Sequence, residues 1–189
     1  MFVGNKTLLR RLELEDTDTI LNTWNNYELR QYLATPLPST REDLTNFINS
    51  VNEAFSKKSK LTFGIESIET ESLVGIIDLS NISWISGNAE ISIFAIMDQE
   101  DRGKGYALDS MLLLLDVAFN VLNLHNVYLW VVEFNKRAIG FYTKVGFTKG
   151  GHLRELAYRN GRRYDVVIMD ILKPEFEEKY GILPKKGTS

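Results

Sequence analysis

Asp98-Gln99-Glu100-Asp101-Arg102-Gly103-Lys104-Gly105-Tyr106-Ala107 joins two segments of different period, and its reading decides the fold. Upstream, Asn88–Met97 alternates, with Ile91, Ile93 and Ala95 on one face and Glu90, Ser92 and Phe94 on the other, as a strand does. Downstream, Leu108, Met111, Leu112, Leu115, Phe119 and Leu122 form a stripe at helical spacing. The join is therefore strand, glycine turn, helix. Two glycines let the backbone turn sharply and leave its N–H groups unobstructed. The helix start aims free N–H groups and a positive dipole end at whatever sits in the loop. Arg102 and Lys104 add charge of the same sign. Chemically this is a pyrophosphate cradle; the bland alternative is a strand–helix turn whose glycines serve packing. The loop is too short for the eight-residue phosphate loop with Gly-Lys-Ser/Thr, and it lacks the third glycine of the dinucleotide fingerprint.

Outward from this loop, strands and helices alternate. Thr7–Leu12 reads as a first strand, with Glu15 and Asp16 at a helix start and a second helical stretch from about Tyr27 to Leu33 before Pro36 and Pro38. Ser39-Thr40-Arg41-Glu42 predicts a capping box, and Leu44, Phe47, Ile48, Val51 and Phe55 follow at helical spacing. Leu61–Ile68 and Leu73–Leu79 read as a hairpin about Glu69–Ser72. Asn126–Glu133 is a further strand, Ala138–Val145 a short helix closed by Gly146, and two alternating strands flank Asn160-Gly161, a strong hairpin signal. The order predicts an α/β (α+β) sandwich, a mixed sheet with helices on both faces.

The composition bounds the function. A chain of 189 residues, 44% hydrophobic and 25% charged, is long enough for one compact domain that buries roughly 70% of its unfolded surface. We expect that domain over 1–174 and a loosely attached charged tail over 175–189. With no cysteine there is no disulfide, no thiolate nucleophile and no cysteine-type zinc site. His125 and His152 stand too far apart for a helical metal pair, so we expect no metal. A formal net charge of −3 without a basic stretch argues against a nucleic-acid partner. Apolar runs such as Met111–Leu115 fall far short of the roughly 20 residues of a membrane span, and no signal peptide is legible. The expectation is a cytoplasmic protein with no membrane partner.

A second stretch, Asn135-Lys136-Arg137-Ala138-Ile139-Gly140-Phe141-Tyr142-Thr143-Lys144-Val145-Gly146-Phe147, follows the next strand. With it the chain resembles the GCN5-related N-acetyltransferase (GNAT) superfamily. Arg102, Gly105 and Ala107 stand at the three defining places of the family's acetyl-CoA pyrophosphate motif, and Asn135, Ala138, Tyr142 and Gly146-Phe147 match its next motif. The resemblance runs from the first strand to the Asn160-Gly161 hairpin. Its ending, Leu153-Arg154-Glu155, Tyr158, Asp165 and Met169, is similar to the branch of ribosomal-protein N-terminal and spermidine acetyltransferases. It implies the GNAT fold, a mostly antiparallel central sheet of about seven strands, and direct transfer of acetyl from acetyl-CoA to a primary amine in a ternary complex. It also implies that the backbone of Phe94, Ala95 and Ile96 binds the pantetheine arm and that Arg102, Gly103, Lys104, Gly105, Tyr106 and Ala107 hold the pyrophosphate. Asn135, with Ala138 behind it, would bond the pantetheine near the thioester, and Tyr142 would protonate the departing thiolate. Glu90, on the strand that carries the thioester, is the expected base for an amine whose free pKa is about 10.4; Asp78, Glu28 and Glu133 are weaker alternatives. The Glu90–Arg102 spacing is a residue or two longer than the family's, which bears on Phe94–Ile96.

Each residue has a plainer reading: Tyr142 as part of a buried stripe, Asn135 as a helix cap, Glu90 as a solvent-side strand residue, Lys104 and Arg137 as solvated charges. The acceptor pocket is expected from Trp24–Leu37, Asp78–Asn88 and the last hairpin, with Trp24, Tyr27, Tyr32, Trp84 and Tyr158 as walls and Glu28, Asp78 and Glu155 facing a cation. Leu33-Ala34-Thr35-Pro36-Leu37 has no acidic pair suited to a polycation. A protein N-terminal amine is thus the first expectation for the acceptor, and a spermidine-like or aminoglycoside amine the second. A non-catalytic acetyl-CoA sensor is the rival of another class. Family analogy implies a homodimer.

Overall fold

The computed structural model describes residues 1–26, 37–95 and 103–181, with Ala95 as backbone alone. The elements are β1 (Phe2–Val3), β2 (Thr7–Arg10), α1 (Thr17–Trp24), α2 (Arg41–Ser56), β3 (Leu61–Ser67), β4 (Leu73–Ser83), β5 (Asn88–Ala95), α3 (Tyr106–Asp116), β6 (Asn126–Val132), α4 (Lys136–Val145), β7 (Thr148–Arg159), β8 (Arg162–Leu172) and α5 (Lys173–Tyr180). The strands form one eight-stranded sheet in the order β1-β2-β3-β4-β5-β6-β8-β7. The β5–β6 pair is parallel, whereas β1–β2, β2–β3, β6–β8 and β7–β8 are antiparallel. This is the expected mixed α/β class, with the short β1 in addition. No described helix is long and apolar enough to cross a membrane.

The chain divides into two compact units. The first comprises Met1–Asp78 and Ile93–Ser110. Its core joins Leu12, Ile20, Leu44, Ile48, Val51, Leu73 and Ile76, with Trp24, Phe47 and Phe94 packed against them. Trp24 lies 4.9 Å from Phe47 and 6.0 Å from Phe94, ring to ring, so this expected pocket wall packs against the core. Arg10 grips the Asp16 carboxylate through both guanidinium nitrogens and also bonds Glu66, and that pairing raises its pKa further.

The α2 cap is shifted by one residue from the expected Ser39 and Glu42. Thr40 Oγ1 accepts the Asp43 N–H, and Asp43 accepts the Thr40 N–H in return. The reason is Asn25, whose side-chain amide donates to the Ser39 carbonyl and accepts the Ser39 N–H, holding Ser39 outside the helix.

The second unit comprises Leu79–Ser92 and Met111–Ser189. Met111, Leu114, Leu115, Phe119, Val127, Leu129, Ile171 and Phe176 are buried in it. α3 passes into a wider π turn at Val117–Val121; Leu114 is buried, whereas Leu112 and Leu122 are half-buried. Asn160 and Gly161 both take positive φ, 50° and 78°, as a two-residue hairpin turn requires.

The expected loose tail from residue 175 needs correction. Lys173–Tyr180 is a helix, Phe176 is fully buried 5.4 Å from the Phe119 ring, and Tyr180 Oη donates to the Val145 carbonyl. Phe176 and Tyr180 dock it despite the charges around them. Residues 182–189 lie outside the described residues.

Candidate active site

In the first unit the glycine loop stands at the N-terminus of α3. Gly103 and Gly105 have φ of 91° and 90°, a region that L side chains rarely adopt. A Cβ at Gly103 would meet nothing within 4 Å, so the loop backbone there is open to a bulky ligand. Tyr106 is buried, its hydroxyl receiving a hydrogen bond from Ser67 Oγ at 3.2 Å; only its backbone is left to serve a phosphate. Asp109, one turn into α3, fixes the loop to the β1–β2 turn. Its carboxylate accepts the N–H groups of Asn5, Lys6 and Thr7 at 3.0, 2.9 and 2.9 Å, and the Thr7 hydroxyl at 2.8 Å. Three amides and a hydroxyl satisfy the acceptor capacity of this carboxylate. Of the expected coenzyme contacts, Ile96 and Arg102 lie outside the described residues. Gly103, Lys104, Gly105, Tyr106 and Ala107 stand together at the helix start, and Phe94 packs against the core beside Trp24.

In the second unit, α4 carries the other motif. Asn135 is its cap: the side-chain oxygen accepts the Ala138 N–H at 3.1 Å. The plainer reading of Asn135 is thus realised, and its amide N–H groups point to no described partner. Gly146, with φ of 123°, ends the helix. Tyr142 is half-buried, its ring 5.4 Å from Phe141 and 5.9 Å from Phe147. Loss of solvent pushes its phenol up to about 12, so the hydroxyl carries its proton at any neutral pH.

Glu90 also belongs to the second unit, at the last position where β5 pairs with β6, opposite Tyr128. It is half-buried, and Asn81 Nδ2 donates to its Oε2 at 2.8 Å. The Tyr128 phenol is raised first by burial and then by the Glu90 charge. A carboxylate held by an amide beside a phenol, with Trp130 39% exposed one step along the same face of β6, makes a surface suited to an ammonium group.

The other expected residues have partners or surroundings of their own. Asp78 is buried and paired with Lys60 at 3.1 Å. Trp84 and Tyr158 are exposed, Arg137 is a surface charge, and the Glu155 N–H bonds Asp165 at 2.9 Å. His125 and His152 are exposed, the latter 3.6 Å from Asp165. Tyr27, Glu28 and Tyr32 lie outside the described residues. The clamp of Asp109 and the Asn81–Glu90 pair were not anticipated. An acidic residue in the first turn after a glycine loop was the signal for the former, but its partners lie about a hundred positions away.

A cradle of open glycine backbone at a helix start, and a capped helix carrying a desolvated tyrosine, are the parts of an acyl-CoA-dependent transferase. The family model described as acetyltransferase (GNAT) domain matches residues 6–148, and the chain belongs to that family. It is an acetyl-CoA-dependent N-acetyltransferase with the GNAT fold. A spermidine N(1)-acetyltransferase of Vibrio cholerae is 32% identical over 174 residues, which cover 92% of this chain and 97% of that protein. A crystal structure of spermidine N-acetyltransferase from Vibrio cholerae, in complex with CoA and spermine, superposes with a TM-score of 0.79 at 32% identity, covering 90% of this chain and 98% of that one. A ribosomal N-acetyltransferase-like protein of Bacillus subtilis is 31% identical over 106 residues, 56% of this chain and 57% of that protein.

Proposed function

We propose that the protein transfers acetyl from acetyl-CoA to a primary amine of a small polyamine-like molecule. The observation that carries the acceptor is the end-to-end likeness to a spermidine acetyltransferase, against a likeness to the ribosomal type over little more than half the chain. A protein N-terminal amine, the first expectation from sequence, therefore gives way to the second. The exposed Trp130 and the Glu90 carboxylate beside Tyr128 support a cationic acceptor.

In this reading the N–H groups of Gly103 to Ala107, with Arg102 and Lys104, hold the coenzyme pyrophosphate. The backbone of Phe94, Ala95 and Ile96 lines the pantetheine, and Asn135 bonds it through the amide that the helix cap leaves over. Glu90 takes the proton of the acceptor ammonium, directly or through one water. The amine nitrogen attacks the thioester carbon, the C–S bond breaks as Tyr142 gives its proton to the thiolate, and the second N–H proton of the adduct leaves through water, which returns a proton to the phenol. A phenol at about 12 is a weak acid beside a thiol of about 8.5. The same dry surroundings that raise the phenol also raise the thiolate's basicity, which brings the two closer. Holding amine and thioester in one place supplies the larger part, on the order of 7–11 kcal/mol.

The test is free-thiol release from acetyl-CoA over spermidine, spermine, aminoglycosides and N-terminal peptides. Turnover on the polyamines with none on peptides is the expected result. Turnover confined to peptides would overturn the acceptor and leave the reaction standing.

A further inference from the structure

Lys6 lies outside both motifs, yet its position is fixed on every side. Its N–H is bound by Asp109 at 2.9 Å, and its carbonyl accepts the Ile68 N–H at 3.0 Å. The turn that carries it is closed by the Gly4 N–H to the Thr7 carbonyl at 2.8 Å, and a side chain at Gly4 would collide with the Asp109 carboxylate. The Lys6 ammonium reaches the glycine loop and donates to the Lys104 carbonyl at 2.5 Å. A Cβ on Gly105 would come within 3.3 Å of Lys6 Nζ, so the glycine admits the ammonium to the loop backbone. A hollow of about 420 Å³ opens here, lined by Asn5, Lys6, Ile68, Glu69, Lys104 and Tyr106. Lys6 and Lys104 outweigh the single carboxylate of Glu69 in it.

We propose that Lys6 is a coenzyme-binding residue whose ammonium contacts a phosphate of acetyl-CoA. The proposal rests on the reading of Gly103–Ala107 as the pyrophosphate cradle. A lysine ammonium has three donors. One holds the Lys104 carbonyl, which leaves two for an anion at a loop whose Gly105 lies close to the ammonium. Asp109 thereby does two things at once: its carboxylate holds the β1–β2 turn, and through that turn it carries a cation to the helix start. The chemistry recognised is a phosphate monoester or a diphosphate, and coenzyme A offers both, as the ribose 3′-phosphate and the pyrophosphate.

The experiment measures KM and kcat by thiol release with acetyl-CoA and with acetyl-3′-dephospho-CoA, for the wild type, Lys6→Gln, Lys6→Arg and Gly105→Glu. Lys6→Gln should raise KM for acetyl-CoA about tenfold, the size of a lost charge-assisted hydrogen bond at a surface, while kcat at saturation holds. Lys6→Arg should restore affinity. If the penalty disappears with the dephospho coenzyme, the contact is to the 3′-phosphate; if it persists, the contact is to the pyrophosphate. An unchanged KM in Lys6→Gln alongside lost binding in Gly105→Glu would overturn the role of Lys6 and leave the cradle. Unchanged binding in Gly105→Glu would overturn the cradle itself. Equal losses in Lys6→Arg and Lys6→Gln would make the residue a support for the loop and also overturn the proposal.

Discussion

The Gly103–Ala107 loop and helix α4 carry the two stretches proposed to hold and use the coenzyme, and they are held by different means. The loop is fastened by polar contacts: Asp109 on three backbone amides, Lys6 on the Lys104 carbonyl, and open space at Gly103. α4 is fastened along its length mainly by apolar ones, with hydrogen bonds at its two ends. Val145 and Phe147 are buried, Tyr142 lies between aromatic rings, and the docked C-terminal helix holds the last turn through Tyr180 and Lys179. A site for a polyanion needs exposed donors on a fixed backbone, whereas a proton donor that must stay neutral needs dry surroundings. Changes at the loop should therefore move coenzyme affinity, and changes at α4 should move turnover.

The largest effect is expected at Gly105→Glu. The new side chain is strained at φ of 90°, meets Lys6 and brings negative charge to the phosphates, so acetyl-CoA affinity should fall by more than about 100-fold in a calorimetric titration. Glu90→Gln should lower kcat at neutral pH by about 100-fold with coenzyme KM unchanged. The deficit should narrow as pH approaches the amine's own pKa, about 10.4, where the acceptor loses its proton unaided. A matching rise in coenzyme KM would break the division between binding and chemistry.

Phe176→Ala empties a fully buried ring and should cost about 3–5 kcal/mol in denaturant unfolding. If the C-terminal helix supports α4 as described, turnover should suffer in that variant before coenzyme affinity does. The smallest effect concerns alkaline stability. The Tyr142 phenol is raised from about 10 to about 12 in the folded chain, so the fold binds that proton more tightly than the unfolded chain does. Stability from this source is intact below pH 10 and is lost as pH rises toward 12. Tyr142→Phe should make the fall in Tm over that window shallower.

Local patterns in the sequence were legible where the physics is local. The glycine loop, the α4 cap at Asn135, the Gly146 stop and the Asn160-Gly161 turn each depend on a few adjacent residues, and each stands where its pattern predicts. What could not be read depends on distant partners. The α2 cap moved because Asn25 holds Ser39, and residues 173–180 docked because Phe119 offers Phe176 a ring to pack on and the Val145 carbonyl accepts the Tyr180 hydroxyl. The same holds for the site. Tyr142 and Asn135 announce themselves in a motif, while Asp109, Lys6 and Asn81 gain their roles from chain segments that only folding brings to them.

The division of labour is tested most directly by steady-state thiol release with Tyr142→Phe, acetyl-CoA and spermidine. The account predicts kcat lowered by about 100-fold or more, KM for acetyl-CoA nearly unchanged, and no alkaline limb from residue 142 below about pH 12 in the wild type. Equal kcat in the two proteins would remove Tyr142 from the chemistry, and with it the claim that α4 supplies the proton while the glycine loop supplies the grip.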